Sequence, residues 1–199
     1  MTIQDSKGGH TGAPVASLFG CSRDIGVITL FQIKNIKVEK AVNDFLDRFE
    51  QKYREEQDPW LVGESDEEGM PMVFRIREQI PAGVDIEQYP NMVCVVWEYA
   101  NTLGNGMPSN EIAERQMAFE DALDEFIETG GANEHMIVVI GNGRKEWIWY
   151  AKNPDHWIEG FSEALKDHPP FPVEIQGYEA DGWQAYNDLK QALSDSDVG

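Results

Sequence analysis

The chain switches repeatedly between a helical period and a strand period. Residues 37–57 place Val38, Val42, Phe45, Phe49 and Tyr53 at steps of three and four, with Lys40, Asp44, Asp47, Glu50, Lys52 and Glu55 on the other faces. That spacing predicts an amphipathic surface helix. An apolar strand is expected before it, at 25–33, and two more after it, at 60–62 and 72–76, around the acidic turn Glu64-Ser65-Asp66-Glu67-Glu68-Gly69. The first block thus reads β-α-β-β. Residues 1–24 hold Gly8, Gly9, Gly12, Pro14 and Gly20 without periodicity and read as a tail or long loop. Pro81, Gly83 and Pro90 mark a connector.

The second block is more regular. Residues 91–100 alternate, with Val93, Val95, Trp97 and Tyr99 on one face and Cys94, Val96 and Glu98 on the other. Ser109 is placed to cap a helix over 110–129, which Gly130-Gly131 ends. Strands at 135–140 and 146–151 flank Gly141-Asn142-Gly143, a hairpin signal because Asn-Gly accepts positive φ at low cost. Asn153-Pro154 reads as the start of a helix running to about 166, which Pro169-Pro170 ends. A last strand is expected at 172–178. Asp181 then caps a final helix, 183–193, with Gln184 at capping-box spacing.

The order β-α-β-β-α-β plus a helix predicts an α+β fold, a ferredoxin-like βαββαβ sandwich with an extra C-terminal helix, preceded by the βαββ block. The expected organisation is a tail at 1–24, a βαββ block at 25–80 packed on the main domain, and the ferredoxin-like domain at 85–199. In such a fold two helices cover one face of the sheet.

Composition narrows the setting. The 199 residues are 41% hydrophobic and 11% aromatic, enough for a packed core. The longest apolar runs are strand-sized, far below the roughly 18 residues of a membrane span, and residues 1–14 lack the basic start and apolar centre of a secretory signal. Of the two cysteines, Cys94 falls inside a strand as a buried thiol and Cys21 in a loop-like stretch, so the cytoplasm is the expected compartment. The charge is the strongest global feature: 36 acidic residues against 16 basic give 36 − 16 = 20 net negative charges. Such a field disfavours nucleic acid and anionic membrane and leaves a basic partner protein, or plain solubility, as its reading. The oligomeric state is left open.

The acidity concentrates on the central helix. Ile112, Phe119, Leu123 and Phe126 mark its buried stripe; Glu111, Glu114, Asp121, Glu125 and Glu128 recur on another face, flanked by Glu120 and Asp124. The functional reading is a docking face for a basic protein; the plainer one is a solvated charged face. One helix face cannot converge six oxygens on a cation. With no EF-hand spacing and no His-Glu-x-x-His, no metal and no cofactor are expected. His10, His135, His156 and His168 form no dyad with oriented partners, and Gly160-Phe161-Ser162 lacks the second glycine of a nucleophile elbow, so no catalytic residue is assigned. Trp147 and Trp149 share one face of a strand. In a sheet covered on one side only, that face is either a partner surface or is covered by the N-terminal block.

Four segments carry a family resemblance. Gly106-Met107-Pro108-Ser109-Asn110-Glu111, Ala118-Phe119-Glu120-Asp121-Ala122-Leu123, Trp147-Ile148-Trp149-Tyr150-Ala151 and Tyr178–Tyr186 resemble, in order and spacing, a bacterial family catalogued as a domain of unknown function, the DUF six-nine-five group. The likeness runs over about residues 60–193, with Gly182 standing where the family has proline. The resemblance implies a fold and no activity. The expected function is therefore a non-enzymatic acidic interaction module, a regulator or inhibitor of a basic protein. Its binding residues would be Glu114, Asp121, Glu125, Glu128, Trp147 and Trp149. The alternative is a small-molecule-binding protein or enzyme with a pocket between the two blocks.

Overall fold

The computed structural model describes residues 60–67, 69–128, 133–180 and 183–196. The expected tail, strand 25–33, helix 37–57 and Asp181 cap lie outside the described residues. Within them the fold is α+β, one six-stranded antiparallel sheet with three helices. In chain order these are β1 (Trp60–Glu67), β2 (Met70–Arg77), a 3-10 turn (Ile86–Gln88), β3 (Asn91–Glu98), α1 (Asn110–Glu128), β4 (Asn133–Gly141), β5 (Arg144–Ala151), α2 (Pro154–Leu165), β6 (Glu174–Ala180) and α3 (Gln184–Ser196). The strands lie in the order β1-β2-β4-β5-β3-β6.

Local chemistry explains the element ends. Asn142 (φ 46°) and Gly143 (φ 76°) both take positive φ, which makes the β4–β5 connection the two-residue turn that matches strand twist. The Asn153 side chain accepts hydrogen bonds from the N–H groups of Asp155 and His156 at 2.8 and 3.2 Å, with Pro154 opening α2 behind it. Ser109 Oγ accepts from the N–H of Ile112 at 3.4 Å at the start of α1.

The acidic segment after Trp60 behaves differently from its expected role as a turn. β1 extends through Glu67 and pairs with β2 from Trp60↔Arg77 to Glu67↔Met70. β2 in turn pairs with β4, from Met72↔Gly141 to Ile76↔Ile137. The ladder to a core-anchored partner outweighs the poor strand propensity of Asp and Glu, which is a context-dependent preference. The β1–β2 hairpin therefore extends the same sheet as β3–β6.

Both faces of the central strands are buried. On one face Val93, Val95 and Trp97 of β3 and Trp147 and Trp149 of β5 pack with Phe119 and Leu123 of α1 and Trp157 and Phe161 of α2. The Phe119 and Trp147 rings lie 4.9 Å apart, and Trp149 and Trp157 5.3 Å. On the opposite face Trp183, just before α3, stacks on Tyr150 at 4.0 Å and donates its indole N–H to Tyr89 O at 3.0 Å. Leu193 of α3 sits directly over Gly63 of β1. An expectation of helices on one face alone is thus corrected: α3 packs against the other face, and for this reason β3 and β5 read as nearly continuous apolar runs.

The loop before α1 is fastened to the β4–β5 turn. Asn101 Oδ1 accepts from the N–H of Gly106 at 2.8 Å, and Gly106 O accepts from the Gly143 N–H at 2.8 Å and from the Tyr99 hydroxyl at 3.1 Å. Gly106 has φ +74°, and a Cβ there would stand 2.7 Å from the Asn142 nitrogen; Gly104 has φ +72° with nothing near its Cβ position. Gly104→Ala should thus cost only the left-handed strain, about 1–2 kcal/mol. Gly106→Ala should cost clearly more, because the backbone of the turn must also move. Urea unfolding of the two variants measures this; equal losses would contradict the fastening role.

Candidate functional site

The expected binding residues divide into two groups. Glu114 and Asp121 are exposed on the outer face of α1, together with Glu111 and Asp124. Glu125 and Glu128 belong to the same helix, but their side chains lie outside the described residues. Trp147 and Trp149 are 1% and 0% exposed, inside the core beneath α1 and α2. Neither offers an aromatic surface to a partner. Their cover is helical, from Phe119 and Trp157, because both crossover helices turn their apolar stripes onto this face.

Glu120 is not on the acidic face it was expected to flank. Position 120 follows Phe119 and precedes Leu123 by three, which places it at the margin of the buried stripe, and it is 4% exposed. One carboxylate oxygen, Oε1, accepts from Lys145 Nζ at 2.6 Å and from Trp147 Nε1 at 2.8 Å. Lys145 is 1% exposed, and its ammonium lies 4.9 Å from the Trp147 ring centroid. Gln116, one turn earlier on α1, is also buried, and both polar atoms of its amide lack a hydrogen-bond partner among the described residues. Such a pair is tolerated in a low-dielectric interior because each charge compensates the other and the indole N–H adds a donor.

A second polar cluster lies on the same face of the sheet around His135. This residue is 9% exposed; its ring stacks on Trp149 at 4.6 Å and meets Trp60 at 5.5 Å. The guanidinium carbons of Arg75 and Arg77 stand 4.4 and 5.4 Å from the Trp60 ring centroid, and Arg77 Nε donates to His135 O at 2.9 Å. Burial first, then the positive charges of Arg75, Arg77 and Lys145, hold the His135 pKa well below the ordinary imidazole range. The ring is therefore neutral at pH 7. Among the described residues no group of three or more His, Cys, Asp or Glu side chains could hold a metal ion, and no helix is long and apolar enough to cross a membrane.

A family model described as Family of unknown function (DUF695) matches residues 58–189. The chain belongs to that family. No curated protein matches it. In this DUF695 chain the segments that carry the resemblance have structural tasks. Gly106 fits under the Asn142 backbone, Trp147 donates to Glu120, and Tyr150 supports the stacked Trp183 ring. Tyr186 donates its hydroxyl hydrogen to Arg77 O at 3.0 Å. The match begins at 58 and ends inside α3, close to the expected 60–193.

Glu120, Lys145 and His135 are not among the residues that periodicity singles out as functional. A signal for the pair was present: Lys145 alternates with Trp147 and Trp149, so a cation occupies the core face of a strand, while Glu120 adjoins the inward Phe119. His135 gave no signal beyond its place at a strand's start.

Its neutrality has a pH consequence with a definite sign. The unfolded imidazole takes its proton near pH 6.5, the folded one only well below. As pH falls through 6.5 the unfolded chain binds a proton that the folded chain refuses, and stability drops by up to about 1.4 kcal/mol per pH unit. Urea unfolding of the native chain and of His135→Gln between pH 7.5 and 5.5 should show this slope in the former and its loss in the variant. Parallel curves would contradict a neutral His135.

Proposed function

We propose that this DUF695 chain is a non-enzymatic acidic interaction module that binds a basic protein, as its regulator or inhibitor, through the outer face of α1. The observation that carries the reading is the separation of the two faces of α1. Phe119, Glu120 and Leu123 are buried, whereas Glu111, Glu114, Asp121 and Asp124 are exposed. The run continues through Glu125 and Glu128 to the helix C-terminus, where the last turn holds no basic residue. Acidic residues in a last turn are unfavourable to the helix dipole, and the sequence spacing of acids at 121 and 125 is the i,i+4 spacing at which like charges weaken a helix. Solubility alone does not require acids at the end of a helix where they are least favourable. A basic partner turns the same charges to advantage and is steered by them.

The scaffold supports this reading. Residues 91–180 run β-α-β-β-α-β with the strands in the order β4-β5-β3-β6, every neighbouring pair antiparallel. We read 85–199 as a ferredoxin-like sandwich with a C-terminal helix, which leaves the outer face of α1 toward solvent. The expected setting is the cytoplasm.

The test is neutralisation of the face by Glu114→Gln, Asp121→Asn and Glu125→Gln together. The variant should unfold at the same or a slightly higher urea concentration, by a few tenths of a kcal/mol per relieved like-charge pair. At low salt it should fail to retain the proteins that the tagged native chain captures from lysate, and the native chain should release them as salt screens the face. Undiminished capture by the variant would contradict the proposal.

A further inference from the structure

Buried polar atoms in folded proteins are almost always partnered. Around His135 that rule is broken repeatedly within one set of neighbouring side chains. His135 Nε2, Trp149 Nε1, Trp157 Nε1 and Asn133 Oδ1 are buried and have no hydrogen-bond partner among the described residues. Three of these atoms belong to rings in direct succession: His135 stacks on Trp149 at 4.6 Å, and Trp149 meets Trp157 at 5.3 Å. Asn133 is two residues before His135 on the same strand. Each of the residues is at least nine-tenths buried.

The chemistry of the set selects the guest. An indole N–H can only donate, and a neutral imidazole nitrogen donates in one of its two tautomers. The two indole donors, with the imidazole nitrogen in its donating tautomer, outnumber the one acceptor, Asn133 Oδ1, and suit an acceptor guest, not a cation. The field has the same sign. In a chain of 36 acids and 16 bases, the Arg75 and Arg77 guanidinium groups are gathered over Trp60, whose ring lies 5.5 Å from that of His135. Donors in a desolvated, electropositive place bind oxyanions.

We propose that the His135–Trp149–Trp157 ring cluster is a binding site for a small oxyanion, a phosphate or a carboxylate group, received by the imidazole Nε2 and the two indole N–H groups beside the Arg75–Arg77 pair. The site is separate from the acidic face of α1 and does not depend on the docking role. Oxyanion geometry differs between the two sources: phosphate is tetrahedral, carboxylate planar.

The test titrates the full chain at pH 7.5 and constant ionic strength with inorganic phosphate in one arm and acetate in the other, reading tryptophan fluorescence and the thermal unfolding midpoint. A saturable fluorescence change with a rising midpoint in either arm supports the site, and the arm that responds names its geometry. His135→Phe keeps the stacked ring and removes Nε2; Trp157→Phe keeps an aromatic ring and removes one donor. Whichever of these retains the native circular dichroism should bind the responding probe about tenfold more weakly or worse. Lys166→Met, at an exposed cation on α2's far end, should bind as the native chain does. The proposal is overturned if neither probe gives a saturable response, the outcome expected of a site that holds only buried water. It is equally overturned if the folded ring variants respond like the native chain.

Discussion

The helix-covered face of this sheet is organised around a charge inside it. Glu120 reaches from α1 to β5 and takes both the Lys145 ammonium and the Trp147 indole N–H on a single oxygen. An apolar residue at 120 would let α1 slide or rotate over the aromatic floor of Trp97, Trp147 and Trp149, since hydrophobic contact is non-directional. A short charge-assisted bond has one geometry. It sets the rotation of α1, and with it the direction of everything else on that helix: Phe119 into the ring cluster, Glu114 and Asp121 outward. The acidic outer face and the aromatic inner face are two consequences of one fixed angle.

From that angle the remaining packing follows. With α1 in place, Phe119 contacts Trp147 and Phe161, and the rings continue through Trp157 and Trp149 to His135 and Trp60. The succession runs from the centre of the sheet to its β1 side and passes from the phenyl rings of Phe119 and Phe161 to Trp157, Trp149 and His135, each with a buried nitrogen that lacks a hydrogen-bond partner among the described residues. The core therefore grades into a polar place without any change of fold element. The other face is assembled independently, by the Trp183–Tyr150 stack and by Leu193 over Gly63.

Much of this was legible in the chain. The turn at Asn142-Gly143, the caps at Ser109 and Asn153 and the inner stripe of α1 follow from local rules that tertiary contacts did not override. The failures share a cause: the sequence pattern assigns charge to solvent. Glu64 to Glu67 read as a turn because acids disfavour strands, yet they pair along β2. Glu120 read as one more surface acid because its partner is a lysine 25 positions later on a strand, and no periodicity links the two. Trp147 and Trp149 were candidates for exposure only while one face of the sheet was taken to be open; the crossover helices close it. The DUF695 match covers residues 58–189 and leaves these side-chain pairings to be read from the structure.

The most direct test of the central claim is a double-mutant cycle on Glu120→Gln and Lys145→Met, with stability read by urea unfolding. Each single change removes the short charge-assisted bond from a buried charge and should cost about 3–5 kcal/mol. The pair should cost less than the sum of the two by about 2 kcal/mol or more, because Gln keeps an acceptor for the Trp147 indole and no charge remains. Single losses that simply add would mean that the two charges do not depend on each other, and that α1 is oriented by its apolar stripe alone.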